Sequence, residues 1–425
     1  MFQRLLAIIL VATSALSQTP KLDRQVAVTI DDLPSGVADR LPAADITRMT
    51  TKLLTTLRDQ KIPVVGFVNE KKLYKPGEVD ERIKALQMWL DYGFELGNHT
   101  FSHMSLNQRE LKDWEDDVIQ GESVTRMLLA PHKMKLRYFR HPYLDTGRDL
   151  ETRRKAEEFL AQRGYRVAPI TLDGWDWAFA GIYEDARKRN DNEMQQKIVK
   201  DYVSYHDSVF AYSEQEALKV VGYEPKQILL LHASTLEADH VGELLDVLRQ
   251  RGYRFITLEQ ALSDPVYSLP DTYVGEEGTG WIDHWAITQG KILQGAPVFP
   301  QWVLDRSREL HLSTGQVSAE TQWWRPTPTF RARRRWRASW RVHVSLGLLA
   351  SRWVLRSGTA ATPERSPHPS LRVYRLWRPA GGPMRDGSPA SDAPRDRLQW
   401  SGPDGHQRVE RRLGASVRRH RERPD

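Results

Sequence analysis

Residues 83–103 read IKALQMWLDYGFELGNHTFSH, and they hold the plan of the chain in miniature. Ile83, Leu86 and Leu90 recur at helical spacing, which gives this segment one apolar face. Gly93 follows the last turn, where a left-handed helix stop favours a residue without a Cβ. Residues 94–98 then read as a short strand whose carboxyl end runs into His99 and His103. The same unit recurs between residues 25 and 262. Ile46, Met49, Leu53, Leu54 and Leu57 precede a strand at 62–68, and Ala156, Phe159 and Leu160 precede Gly164 and a strand at 165–171. Val241, Leu244, Leu245 and Leu248 precede Gly252 and a strand at 253–257. Three further runs, 26–30, 136–139 and 228–231, are continuously apolar or aromatic, as strands of a parallel sheet buried on both faces must be. Alternating helix and strand means an α/β fold, either a barrel or a doubly wound sheet. Residues 178–226 break the rhythm with a long, mostly charged helical insertion. Residues 264–312 form an aromatic extension, with Pro and Gly, that is expected to wrap the core.

The chain has 425 residues, with 62 Lys or Arg against 55 Asp or Glu, and its net charge of +7 hides two unlike parts. Residues 321–425 hold 23 Arg, no Lys and 8 acids, a net of +15 that leaves residues 1–320 at −8. That last quarter lacks Ile and Asn yet carries 7 of the 14 Trp. Such a bias is what an out-of-frame or read-through translation of G/C-rich DNA would give. A disordered basic tail and an Arg/Trp-rich nucleic-acid or membrane contact are the rival readings. The run at 342–355 is too short and too polar to span a bilayer. The basic charge therefore gives no reason to expect a nucleic-acid partner for the rest of the chain. At the other end, Arg4, an apolar run from Leu5 to Val11 and Ala15-Leu16-Ser17 resemble a secretory signal peptide cut before Gln18. A secreted or periplasmic protein is the expectation, with no transmembrane segment in the mature chain. The sequence has no Cys, which excludes disulfides, thiol catalysis and thiolate metal sites.

Five of the seven expected strands end in residues that carry chemistry. Asp31-Asp32 follow the first, His99 and His103 the third, and Arg140-His141-Pro142-Tyr143 the fourth. Asp173-Gly174-Trp175-Asp176-Trp177 follow the fifth, and His232 follows the sixth. In an α/β barrel such ends share one rim, where active sites lie. Two imidazoles and one carboxylate suit a divalent transition metal with positions left open for water and substrate. Asp31 and Asp32 can divide the labour, one binding the metal and the other acting as base on metal-bound water. His232 could give a proton to a leaving amine or alcohol, and Arg140 could orient the base carboxylate by a bidentate pair. The reaction class is metal-assisted hydrolysis of an amide or ester. His141 is read as a rim residue, and His132, His206 and His240 as solvated.

In order, Thr29-Ile30-Asp31-Asp32, His99-Thr100-Phe101-Ser102-His103, Arg140-His141-Pro142-Tyr143, residues 173–177 and Leu229-Leu230-Leu231-His232 resemble the five motifs of the polysaccharide deacetylases. These are the NodB-homology enzymes of carbohydrate esterase family 4, and the resemblance covers about residues 25–262. It implies a distorted (β/α) barrel that removes acetyl groups from N- or O-acetylated sugars in peptidoglycan, chitin or xylan. It implies Asp31 as catalytic base, and Asp32, His99 and His103 as ligands of one divalent ion, commonly Zn2+, with Co2+, Ni2+ or Mn2+ as alternatives. Arg140 would hold the base, and the backbone N–H of Tyr143 would help stabilise the oxyanion. Leu230 and Trp177 would line the pocket for the acetyl methyl. His232 would be the general acid, with Asp176, or else Asp173, setting its tautomer. The implied partner is an acetylated polysaccharide or oligosaccharide. An amidohydrolase of the same fold acting on a small non-peptide amide, and a catalytically inert carbohydrate-binding protein, are the alternatives.

One departure bears on the substrate. Leu33 stands where the family usually has Gly, so the turn after Asp32 differs and the groove wall is expected to be reshaped. The loop from Gly275 to Trp285 reads as a packed cap anchored by two Trp, or as a lid bringing Trp281 or His284 to a sugar site. The domain plan is a signal peptide at 1–17, a deacetylase domain at 18–263 with its insertion at 178–226, an extension at 264–312, and a disordered or frameshifted tail at 313–425.

Overall fold

The computed structural model describes residues 23–312, and every strand pair in that stretch is parallel. The signal peptide at 1–17 and the tail at 313–425 lie outside the described residues. The strands are β1 (Gln25–Leu33), β2 (Val64–Val68), β3 (Glu95–Asn98), β4 (Tyr138–Phe139), β5 (Arg166–Val167), β6 (Leu172–Asp173), β7 (Gln227–His232) and β8 (Arg254–Phe255). The first six helices are α1 (Ala43–Asp59), α2 (Val79–Asp91), α3 (Leu111–Gln120), α4 (Ser123–Leu129), α5 (Leu150–Gln162) and α6 (Asp176–Lys188). They are followed by α7 (Asn192–Val221), α8 (Thr235–Gln250), α9 (Leu258–Leu262), α10 (Trp281–Thr288) and α11 (Gln301–Glu309).

The sheet order is β5-β4-β3-β2-β1-β7-β6, with β8 paired to the start of β1. Parallel neighbours need crossovers, and amphipathic helices supply them: α1 buries Ile46, Met49, Leu53, Leu54 and Leu57. Of the expected strand at 165–171 only β5, Arg166–Val167, is strand, and β6 starts at Leu172, because residues 168–171 leave one edge of the sheet and reach the other. Ala168 N–H donates to the Phe139 carbonyl at 2.8 Å, and Thr171 N–H donates to the Ile228 carbonyl at 2.9 Å. Four residues span at most about 14 Å, so the two edges lie close and the sheet must curl. The result is the distorted barrel expected from the motifs.

Leu33 does not shape a groove. It is fully buried, and a Cβ on Gly66 would lie 2.5 Å from its Cδ2, so the Leu33 side chain fills the space that Gly66 leaves open. The register of β1 against β2 shifts between Ile30 and Leu33, which turns Leu33 into the core just after the two aspartates.

The charged insertion is likewise more buried than its composition suggests. Helix α6 begins at Asp176, inside the fourth motif, and α7 carries an apolar stripe of Ile198, Tyr202, Tyr205, Val209 and Phe210. His206 belongs to that stripe and is fully buried rather than solvated. In the extension, Trp281, His284 and Trp285 are all buried, and His284 stacks between the rings of Tyr273 and Trp281 at 4.3 and 4.5 Å. The cap reading therefore fits these side chains, and neither Trp281 nor His284 reaches a sugar site as a lid. Among the described residues, no helix is long and apolar enough to cross a membrane.

Candidate active site

Strand register assembles the site. Asp31 on β1 pairs with His232 on β7, so two of the motif residues leave the sheet side by side. Asn98 on β3 pairs with Phe139 on β4, which sets His99 beside Arg140. His99 Nδ1 then donates to the Arg140 carbonyl at 2.8 Å, leaving Nε2 unprotonated and free to ligate. His103 returns to the same place because the loop between the two histidines is tied down. Phe101 N–H donates to the Asp117 carbonyl at 3.0 Å, and Met104 N–H donates to Thr100 Oγ1 at 3.0 Å.

Asp32, His99 and His103 offer three ligand atoms, all within 4.8 Å of one another. Their protonation suits a cation. Burial holds His99 well below its ordinary value and pushes His103 down to about 4, so both imidazoles are neutral at pH 7. Burial alone would raise Asp32, but the Lys72 ammonium, 2.9 Å from Oδ1, holds its carboxyl well below the usual range. The donor set thus fits a divalent metal by type, number and charge.

Asp31 borders this group, its Oδ2 lying 3.6 Å from His99 Nε2, and differs from Asp32 in its cationic partner. Burial pushes its carboxyl up to about 6, against the opposing pull of Arg140. Arg140 Nη1 donates to Asp31 Oδ2 at 3.3 Å, and Asp31 Oδ1 is buried with no hydrogen-bond partner among the described residues. The contact is a single bond, not the bidentate pair expected from the sequence. The guanidinium is fully buried and must satisfy its other N–H groups elsewhere, with Nη2 on Thr29 Oγ1 at 2.9 Å and Nε on the Ala168 carbonyl at 2.7 Å.

His232 has one carboxylate partner. Asp176 Oδ1 lies 2.8 Å from His232 Nδ1, while Oδ2 accepts the His232 backbone N–H at 2.7 Å. Burial would lower the imidazole, but the Asp176 carboxylate outweighs it and pushes His232 up to about 10. Asp173 instead accepts the Trp175 N–H at 2.9 Å and shapes the turn between them. Beneath that turn lies His206, because a Cβ on Gly174 would sit 2.2 Å from His206 Nε2.

Tyr143 has φ 57°, and its turn is closed by Leu144 N–H to the His141 carbonyl and Asp145 N–H to the Pro142 carbonyl. Neither bond uses the Tyr143 N–H. Asp31, Asp32, His99, His103 and His232 open onto one cavity of about 510 Å3, which Tyr143, Trp177 and Leu230 also line, while Arg140 and Asp176 stand behind it. His141 lines this cavity, as a rim residue would, but it is buried and stacked on Trp114 with ring centroids 5.7 Å apart. Lys72 and Thr29 were not anticipated from the sequence, and nothing local to either residue marks its partner. Gly278, Thr279, Gly280, Ile282 and Asp283 line the cavity too, so the extension reaches the site through its loop and the start of α10 rather than through Trp281 or His284.

The polysaccharide deacetylase family model covers residues 18–168. The resemblance read from the motifs is that of a polysaccharide deacetylase. The matched span contains the first three motifs of the deacetylase pattern; the fourth and fifth follow it on the same curled sheet. A search of curated proteins returns no match. Among solved structures, a chitin deacetylase from the fungal pathogen Colletotrichum lindemuthianum is 20% identical, with 56% of this chain and 88% of that one covered and a TM-score of 0.38. A peptidoglycan deacetylase from Bacillus subtilis is 20% identical, covering 56% of this chain and 90% of that one at a TM-score of 0.34. A carbohydrate esterase family 4 pseudoenzyme from Bacillus anthracis is 16% identical, covering 57% and 66% at a TM-score of 0.38.

Proposed function

We propose that this deacetylase-type barrel is an active, metal-dependent hydrolase that removes acetyl groups from an N- or O-acetylated saccharide. The observation that carries the reading is the different partners of two carboxylates that are sequence neighbours. Asp32 is near both histidines, at 4.0 and 3.7 Å, whereas Asp31 touches only His99, at 3.6 Å, accepts from Arg140 and keeps its other oxygen without a hydrogen-bond partner among the described residues. A divalent ion held by Asp32, His99 and His103 would supply Lewis acidity, polarising the acyl oxygen and acidifying water. Asp31 takes the proton from the attacking water through its carboxylate, and Arg140 keeps that carboxylate aimed. The Tyr143 N–H donates to the oxygen on which negative charge develops. Leu230 and Trp177 contact the acetyl methyl and exclude water from it. His232, protonated because Asp176 faces its Nδ1, delivers a proton from Nε2 to the leaving nitrogen or oxygen.

The test is acetate release from chitin oligomers, peptidoglycan and acetylated xylan, with and without chelator. Asp31→Asn is expected to lower turnover by about a thousandfold or more while metal content stays near wild type. His99→Ala should lose the metal, read by elemental analysis after dialysis. Near-normal turnover in Asp31→Asn would overturn the assignment of the base.

A further inference from the structure

Asp145 closes the turn that carries Tyr143, and its side chain is fully buried. It forms no ion pair among the described residues. A buried carboxyl without a cation is costly, and burial pushes this one up to about 7. In place of a cation it has hydrogen bonds to two other segments. Ser105 Oγ donates to Asp145 Oδ2, and Asn107 Nδ2 donates to Oδ1 at 3.0 Å. The Gly278 backbone N–H faces the same carboxyl from the extension. Asn107 completes the knot, since its Nδ2 also donates to the Gly275 carbonyl at 3.0 Å and its Oδ1 accepts the Gly147 N–H at 2.9 Å. One carboxylate thus joins three stretches of chain: the one after His103, the one after Tyr143, and the extension.

The turn needs such an anchor. Tyr143 and Leu144 have φ of 57° and 59°, two consecutive non-glycine residues in the left-handed region. That conformation is costly and persists only where the surroundings fix it. The bonds from Leu144 N–H to the His141 carbonyl and from Asp145 N–H to the Pro142 carbonyl, both 3.1 Å, close the turn without fixing it against the metal donors. The Asp145 carboxylate supplies that link through Ser105, two residues beyond His103. The rings of His103 and Tyr143 accordingly meet edge to face, with centroids 4.3 Å apart. On the other side Gly278 lies flat on the turn, so close that a Cβ there would stand 2.2 Å from the Leu144 carbonyl carbon.

We propose that Asp145 is a positioning residue for deacetylation: by tying the Tyr143 turn to the Ser105–Asn107 segment, it holds the Tyr143 N–H where negative charge develops on the acyl oxygen. This rests on the deacetylase reading above. Asp145 does not line the cavity, so it acts only through the turn. A donor aimed at developing charge lowers the barrier rather than tightening the bound substrate, so its displacement is read in kcat and not in KM.

The test uses the full chain supplied with zinc, on whichever of chitin oligomers, peptidoglycan and acetylated xylan the wild type deacetylates. Acetate release is followed at pH 8, where the Asp145 carboxyl is ionised, and rates are corrected for the folded fraction by circular dichroism. Asp145→Ala is expected to lower kcat by about a hundredfold, with KM within about threefold of wild type and zinc content by elemental analysis unchanged. Asp145→Asn keeps the shape and an acceptor for Asn107, so it should regain about tenfold of that loss. A purely structural role would reduce the folded fraction and leave the corrected kcat alone. A corrected kcat within about threefold of wild type in Asp145→Ala, or a loss confined to KM, overturns the inference. Should the alanine variant fail to fold, the same two criteria are applied to Asp145→Asn, whose expected loss in kcat is about tenfold. A wild type that releases acetate from none of the three substrates sinks the deacetylase reading, and this inference with it. An active wild type with unaffected variants sinks the inference alone.

Discussion

Asp176 and His232 form a pair whose strength can be measured by titration. His232 is raised from 6.5 to about 10, so its protonated form stabilises the fold. That contribution is fully present below pH 6.5 and is lost as the pH rises through about 10. Asp176→Asn should bring the imidazole down by about two units or more, seen in the NMR shift of its Cε1–H, and should remove the alkaline loss of stability. An imidazole that still titrates near 10 in that variant would rule out the pairing. Backbone geometry gives a second test at this scale. Asp32, Thr100, His103, Tyr143 and Trp175 have φ of 69°, 61°, 62°, 57° and 52°, so the motif turns hold non-glycine residues in the left-handed region. If Tyr143 contributes its N–H and not its ring, Tyr143→Gly should keep acetate release within about tenfold of wild type, because glycine takes this conformation freely. The adjacency of Asp31, Asp32, His99, His103, Arg140 and His232 was legible in the sequence, since parallel strands all deliver their carboxyl ends to one rim. Lys72 was not. It meets Asp32 from a separate turn, and an isolated lysine carries no periodic signal.

Helix α7 is where composition misleads most. Its charged residues hide a stripe in which Tyr202, His206, Val209 and Phe210 recur at helical spacing and pack under the barrel. The helix therefore supports the fourth motif from beneath, with His206 filling the room that Gly174 leaves. Gly174→Ala should destabilise the protein by about 1–3 kcal/mol in denaturant unfolding, as overpacking does. Combining it with His206→Ala should cost less than the sum of the two single changes, because the truncated side chain makes room for the new methyl. Strict additivity would mean that the two residues do not press on each other. The short strands were the other local failure. Residues 165–171 read as one strand because apolar content does not reveal the bend, which is fixed by bonds to Phe139 and Ile228, far away in sequence.

At the scale of the molecule, the proposed metal donors come from β1 and from the loop after β3, so a bound cation would clip together segments far apart in the chain. A divalent ion that binds only the folded state, present at a hundredfold its Kd, should add about 2.7 kcal/mol of stability. Thermal unfolding should then shift upward with added zinc, return with chelator, and not respond in His99→Ala. The fold class was legible because the helix–strand rhythm repeats, whereas the attachment of the extension was not, since its anchors pair Asn107 with Gly275 and Ile170 with Trp281, far apart in sequence. The short crossing at 168–171 ties these matters together. It joins the two edges of the sheet, its Ile170 and Thr171 line the cavity, and the Ile170 carbonyl receives the Trp281 N–H that ties down the extension. The closure of the sheet and the lining of the cavity thus share the same residues. A cut or an insertion at that crossing would loosen the closure of the sheet, the lining of the cavity and the seat of the extension in the same event.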